Sequence, residues 1–461
     1  VSLAVGGVAV AVALLVCFGW FRTGTYLADD QSRTGPAVTT SLRAELGDLW
    51  NHQHGGDGRL GNDVVRWPAV VSERLATAAG GTGALGQRLL WTASFAFAAA
   101  AVAHLASRFT RRPAAVVLAG VLGVANPLVL FGLPSYLPVV AIGVMACVAG
   151  LALRAAAGRP VTLGLLATSL PASALGADRP LLATVTMVAL LAPVLLPLST
   201  GTGGAGVRRA LGRWLAALPW VTGLSLWWLV PTLLALGHDP IPAGADAHAI
   251  LAVAGFWRWT PAWSWAFPAG VVLAPLLARP ERRRAALVLT LGIQAAVPVA
   301  RWLRPPDLAA NGLLDHPDLI VVAVTTPALA VAWALLLDGA LTRLGAATAA
   351  ARTPTGSRGP MPDPAGRGST RSGAGASMAT SRAWRGLGQA ATILVVLLPV
   401  AAVWPAVSGG FATGALGTQA PPDGLGQVAL PAAWTEVAAA VNEAPEPGKV
   451  LVLPLLPGER R

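Results

Sequence analysis

Long apolar runs, separated by short polar segments, fill the chain from end to end. A helix needs about 20 apolar residues to cross a hydrocarbon core. By that measure the pattern predicts about eleven spans: 1–21, 86–107, 113–133, 135–153, 160–177, 180–199, 212–236, 264–278, 285–302, 318–340 and 386–406. The fifth, "PVTLGLLATSLPASALGA", is short and kinked, and proline interrupts the sixth and eighth. The predicted fold class is an all-α polytopic membrane protein. The pattern places no charged residue deep in a span.

The polar segments alternate between two kinds. One kind is basic: "RFTRR" (Arg108, Arg111, Arg112), Arg154 with Arg159, "VRRALGR" (Arg208, Arg209, Arg213), "RPERRR" (Arg279, Arg282, Arg283, Arg284), and 341–385 with Arg343 and six further arginines. All five fall on one side of an eleven-span arrangement. The positive-inside rule makes that side cytoplasmic, with the N-terminus inside and the C-terminus outside the plasma membrane. The opposite side carries a long acidic-polar loop, 22–85, then 237–265, 304–318 and everything from 407 on. Most tryptophans fall on this side too, Trp67, Trp228, Trp257 and Trp404 among them, as in an interfacial belt. The dense "FWRWTPAWSW" also reads as an in-plane helix lining a lipid entrance.

Composition sharpens this picture. The 461 residues are 54% hydrophobic and 12% charged, against about 25% charged in a soluble protein. The net charge of +12 comes almost wholly from arginine, since Lys449 is the only lysine. In a soluble chain such a balance points to nucleic acid. Here the arginines punctuate apolar runs, so the charge sets membrane topology and no nucleic-acid partner is expected. Arginine over lysine, with abundant alanine, is the composition of a GC-rich genome. Cys17 and Cys147 sit inside apolar runs and read as buried structural thiols.

The domain organisation follows. A membrane domain spans 1–340, with its outer loop at 22–85. Residues 341–385 form a Gly/Pro/Ser/Arg-rich cytoplasmic linker, too poor in apolar residues for a core and expected to be disordered. A last span covers 386–406. Residues 407–461 begin an outer soluble domain, where a helical spacing from Trp434 to Val441 precedes the strand-like "GKVLVLP". Val1 and Arg461 read as cut ends of a longer protein.

Soluble-enzyme motifs are missing: no Walker A sequence, HExxH or GxSxG occurs, and there is no convincing dinucleotide fingerprint. That argues against a pump driven by its own nucleotide hydrolysis. Ionisable chemistry concentrates instead in the first outer loop, with Asp29, Asp30, Glu45, Asp48, His52, His54, Asp57, Asp63 and the arginines Arg33, Arg59 and Arg66. A carboxylate beside the membrane can take a proton from a hydroxyl, or hold a divalent cation (Mg, Mn or Ca) against a phosphate. Arginines bind phosphate through paired hydrogen bonds. Plainer readings stand beside these. Asp29-Asp30 also reads as a solvated helix-exit turn. "NHQHGGDG" reads as a surface turn before it reads as a metal site. Asp315, His316 and Asp318 read as a helix start, with Asp318 near the N-cap.

A first membrane helix, a long outer loop with two acidic residues soon after it, and many further helices resemble the GT-C class of membrane glycosyltransferases. The adjacent pair Asp29-Asp30, in "YLADDQSR", is similar to that class's modified DxD motif. Within the class, the chain most resembles the actinobacterial α-(1→3)-arabinofuranosyltransferase family. The stretches that carry this are "LGDLWNHQHGGDGRLGNDVVRWP", "LSLWWLVPTLLALG", "LLDHPDLIVVAVTTPALAVAWALLL" and "LPAAWTEVAAAVNEAPEPGKVLVLP". The family usually sets its acidic residue in a longer Asp-rich context, so which aspartate is the base stays open. The resemblance implies transfer of a sugar, arabinofuranose, from a polyprenyl-phosphate donor to a cell-wall polysaccharide on the outer face. It implies Asp29 or Asp30 as the base and Arg33, Arg66 and Arg258 as phosphate partners. A related transferase using mannose or another sugar differs only in substrate. The rival reading is a non-catalytic transporter or flippase of lipid-linked sugars, or an assembly scaffold. An ion-driven transporter calls for ionisable groups at mid-membrane on broken helices.

Overall fold

The computed structural model describes residues 2–16, 26–27, 65, 67–81, 83–126, 129, 136–177, 179–238, 273–276, 278–288, 317–352, 397–400, 403–404 and 427–428. These are nearly all helical. The helices are α1 (Ser2–Leu14), α2 (Trp67–Ala78), α3 (Gly83–Ala106), α4 (Pro113–Leu122), α5 (Leu137–Ala156), α6 (Thr162–Ser173), α7 (Arg179–Ser199), α8 (Gly203–His238), α9 (Arg283–Leu287) and α10 (Pro317–Arg352). Five of them, α3, α5, α7, α8 and α10, are long and apolar enough to cross a membrane. Stretches within α1, α4 and α6 are apolar but shorter. Two short strands, β1 (Tyr26–Leu27) and β2 (Gln427–Val428), pair antiparallel, Tyr26 facing Val428.

The core lies where α3, α5 and α10 meet. Trp91 and Phe95 stack on α3 with ring centroids 5.6 Å apart. Around them Ile142, Trp333, Leu335 and Leu336 are fully buried. Helix α1 packs on α3 and α4, α7 packs on α5, and α8 covers α5, α6 and α7. Small residues allow the close crossings. A Cβ added at Gly120 would lie 2.9 Å from Val8 Cγ1 on α1 and 3.0 Å from the Ala99 carbonyl on α3. At Gly123 the same atom would meet Val102 at 2.9 Å. Peripheral helices keep apolar side chains facing outward, as a hydrocarbon-facing surface does: Leu190 and Leu195 on α7, Leu215, Trp220 and Leu233 on α8.

Several boundaries differ from the sequence expectation, each for a local reason. Within the third span, expected over 113–133, Val129 is again helical, but α4 itself ends at Leu122. There Asn126 Nδ2 donates to the Leu122 carbonyl, and Pro127 follows, disfavouring helix in the residue before it. The tenth continues past 340 to Arg352 as α10. Residues 341–352 of the expected disordered linker are therefore helical, carried by "GAATAAAR", since alanine has the best helix propensity. The seventh extends back to Gly203. Part of the outer loop 22–85 is helical as well, since α2 lies within it and α3 opens at Gly83. Prolines 193 and 197 leave α7 continuous, while Pro171 sits at the end of α6, where a 3-10 turn, Ala174–Ala177, follows. The eighth, ninth and eleventh spans lie largely outside the described residues. Cys147 is a free, partly buried thiol, and Cys17 lies outside the described residues.

Candidate functional site

The chain's basic loops converge on one end of the bundle. Helices α3, α5 and α7 finish there, α4, α6 and α8 begin there, and α10 passes through. Side chains from these turns and from 279–282 line a half-open cavity of about 680 Å³. Arg108, Arg111 and Arg112 come from the turn after α3, and Arg154 and Arg159 flank the end of α5. Arg279 and Arg282 come from the segment before α9. Thr200 and Thr202 contribute from the turn between α7 and α8. Arg209 at the start of α8 donates from Nε to the Ala156 carbonyl at 3.0 Å, a cation placed at a helix C-terminus.

One carboxylate organises part of this end. Asp338, on α10, is 4% exposed and is the only buried acidic residue among those described. Arg112 Nε lies 2.7 Å from Asp338 Oδ1, and Arg279 Nε lies 3.1 Å from Oδ2. One turn further along α10, Thr342 ties the pair together. Its hydroxyl donates to the Asp338 carbonyl at 2.7 Å and accepts from Arg112 Nη2 at 3.2 Å and Arg279 Nη2 at 2.7 Å. Two loops far apart in sequence are thus latched to one helix. The aspartate sits near the end of the expected span 318–340, at the basic end of the bundle, and not deep within it. Asp338 falls inside the apolar stretch Ala323–Ala346. It is tolerated because two guanidiniums neutralise it. Its signal was legible as the lone acidic letter in "AWALLLDGALTR", since a charge in such a run requires a partner.

The other side of the cavity has no such counter-charge among the described residues. Arg108 Nη2 donates to His104 Nε2 at 2.8 Å, the ring nitrogen necessarily accepting. The Nε donors of Arg108 and Arg154 are buried and have no hydrogen-bond partner among the described residues. Burial first, then the charges of Arg154 and Arg159, pull the Arg108 guanidinium below its ordinary pKa. Among the described residues, seven arginines and one aspartate line the cavity, an excess of six positive charges.

The opposite end is set by the last part of the first loop. Trp67 opens α2, and its Nε1 donates to Ser173 Oγ at 2.6 Å at the far end of α6. Val65 is buried beside Gly176 and Thr232. The predicted site residues Asp29, Asp30, Arg33, Arg66 and Arg258 lie outside the described residues, as do His52, His54, Asp315 and His316. Asp318 falls in the first turn of α10. The described neighbours of the aspartate pair are Tyr26 and Leu27, held against Gln427–Val428. No group of three or more His, Cys, Asp or Glu residues gathers as a metal site among the described residues. No protein family, curated protein or solved structure matches the chain.

Proposed function

We propose that this chain is a multi-pass plasma-membrane glycosyltransferase of the GT-C type. It moves a sugar, arabinofuranose on the family resemblance, from a polyprenyl-phosphate donor to a cell-wall glycan. The observation that carries the reading is the separation of two chemistries along the chain. Arginine-rich turns meet at one end of the bundle, the end the positive-inside rule assigns to the cytoplasm. The end of the first loop, at Val65 and Trp67, packs at the other. The pairing of β1 with β2 supports a shared side for the start of that loop and the segment after 406. In this reading the first loop, the outer loop richest in ionisable residues, takes the side where a lipid-borne outer-leaflet donor would present its phosphate.

In this reading the donor's prenyl tail lies in the bilayer and its phosphate at the outer interface. The acceptor hydroxyl gives its proton to Asp29 or Asp30 as its oxygen attacks the sugar's anomeric carbon. The bond from that carbon to the phosphate oxygen breaks, and the phosphate leaves with the bonding electrons. Arg33, Arg66 or Arg258 balances the charge that develops there. A divalent cation held by the aspartate pair would share that role.

Transport has less to support it. Asp338, the buried carboxylate on α10, is held by two arginines and a threonine at the end of the bundle. A static latch of that kind does not suit a coupling group that must load and release an ion. The donor test is direct. The purified chain in liposomes should transfer label from polyprenyl-phosphoryl arabinofuranose to an arabinan acceptor. Transfer from the mannosyl analogue alone would reassign the sugar, and transfer from neither would remove the enzymatic reading.

A further inference from the structure

The cavity at the basic end has no part in the proposed transfer, which takes place at the opposite face. We infer that it is a binding site for a phosphate-bearing anion, built by Arg108, Arg154 and Arg159 beside the Asp338 latch. The arginines of this cavity are unequally satisfied. Arg112 and Arg279 are committed to Asp338 and Thr342. Arg108, from the turn after α3, and Arg154, from the last helical turn of α5, bring guanidiniums to the same cavity, each with a buried Nε donor lacking a partner among the described residues. Leaving buried donors unmade is costly, and like charges held together without a counter-ion cost more. A ligand that accepts several hydrogen bonds and carries negative charge removes both penalties. Phosphate does this best, because its oxygens match the fork of a guanidinium.

The cavity's size and place narrow the source. About 680 Å³ holds a phosphate with an attached polar group. It lies where α3, α5 and α7 end, the depth at which phospholipid headgroups sit beside membrane helices. The ligand is thus the phosphodiester of an anionic phospholipid, or a soluble phosphate compound of similar size. Arg159 and Arg111 are exposed at the rim and suit capture, while the half-buried Arg108 and Arg154 suit retention. The inference does not depend on what the opposite face catalyses.

The test uses the full chain, stripped of native lipid in detergent and scored by thermal unfolding and by native mass spectrometry. Two probes are added separately: phosphatidylglycerol, with phosphatidylcholine as the neutral comparator, and inorganic phosphate. A phospholipid site predicts retention of phosphatidylglycerol over phosphatidylcholine, with a raised melting temperature that high salt diminishes. A soluble-phosphate site predicts stabilisation by inorganic phosphate without lipid preference. In either case Arg108→Gln with Arg154→Gln should weaken binding about tenfold or more. If that pair fails to fold, the exposed Arg159→Gln alone should still weaken it measurably. The proposal is overturned if the wild-type chain prefers neither probe, or if binding is unchanged in every variant that folds.

Discussion

Asp338 shows how one residue can fix the relation of distant loops. Its carboxylate meets Arg112 from the turn after α3 and Arg279 from the segment before α9, and Thr342 closes the set. Removing it leaves two guanidiniums facing each other with only the Thr342 hydroxyl between them. Both arginine side chains are about two-fifths exposed, at 40% and 35%, so solvent softens the loss. Asp338→Ala should therefore destabilise the detergent-solubilised protein by about 1–3 kcal/mol, and Asp338→Asn by less, because the amide oxygen still accepts a hydrogen bond. Calorimetry or a thermal-shift assay checks this; equal melting temperatures for all three proteins would show that the latch contributes nothing. The sequence carried the sign of this arrangement but not its partners. An aspartate in an apolar run demands a counter-charge, yet arginines from all five basic segments were equally eligible.

Among the helices, what decides packing is where side chains are missing. Gly120 on α4 lets α1 and α3 approach together, with Val8 and the Ala99 backbone already within 3.0 Å of a would-be Cβ. The Val8 side chain can yield a little, whereas the α3 backbone cannot without moving the helix. Gly120→Val should cost about 1–3 kcal/mol by overpacking, and Gly120→Ala less. The order of melting temperatures, wild type above alanine above valine, tests it; a valine variant as stable as wild type would mean that α4 is not seated as described. Helix identity was legible from hydropathy at α3, α5 and α7, because an apolar run of span length leaves few alternatives. Helix ends were less so. The overrun of α10 to Arg352 depends on alanine propensity beyond the apolar stretch, and the early stop of α4 depends on Asn126 and Pro127. Hydropathy is blind to both. Nor does it reveal that α2 forms within an otherwise polar loop.

For the molecule as a whole, charge segregation is the property that ties fold to function. The arginine positions suggested that alternate loops share a side, and the side chains that meet in the basic cavity come from those loops. Sequence could not foresee a lined cavity there, since the positive-inside pattern says which side a loop takes and not which loops touch. The proposed topology has a labelling consequence. In a chain carrying Cys17→Ser and Cys147→Ser, Arg159→Cys should react with a membrane-impermeant maleimide only from the cytoplasmic side. Ser32→Cys, beside the aspartate pair, should react only from outside. Labelling of both from one side would overturn the assignment of faces. The catalytic claim rests on that outer loop, and one comparison addresses it most directly. Transfer from a polyprenyl-phosphoryl sugar should be measured in membranes holding equal amounts of wild type, Asp29→Asn, Asp30→Asn and the double variant. A general base predicts that one single variant and the double variant lose activity together, by about 10²–10⁴-fold, while the chain still folds and inserts. Undiminished transfer by the double variant would contradict the account.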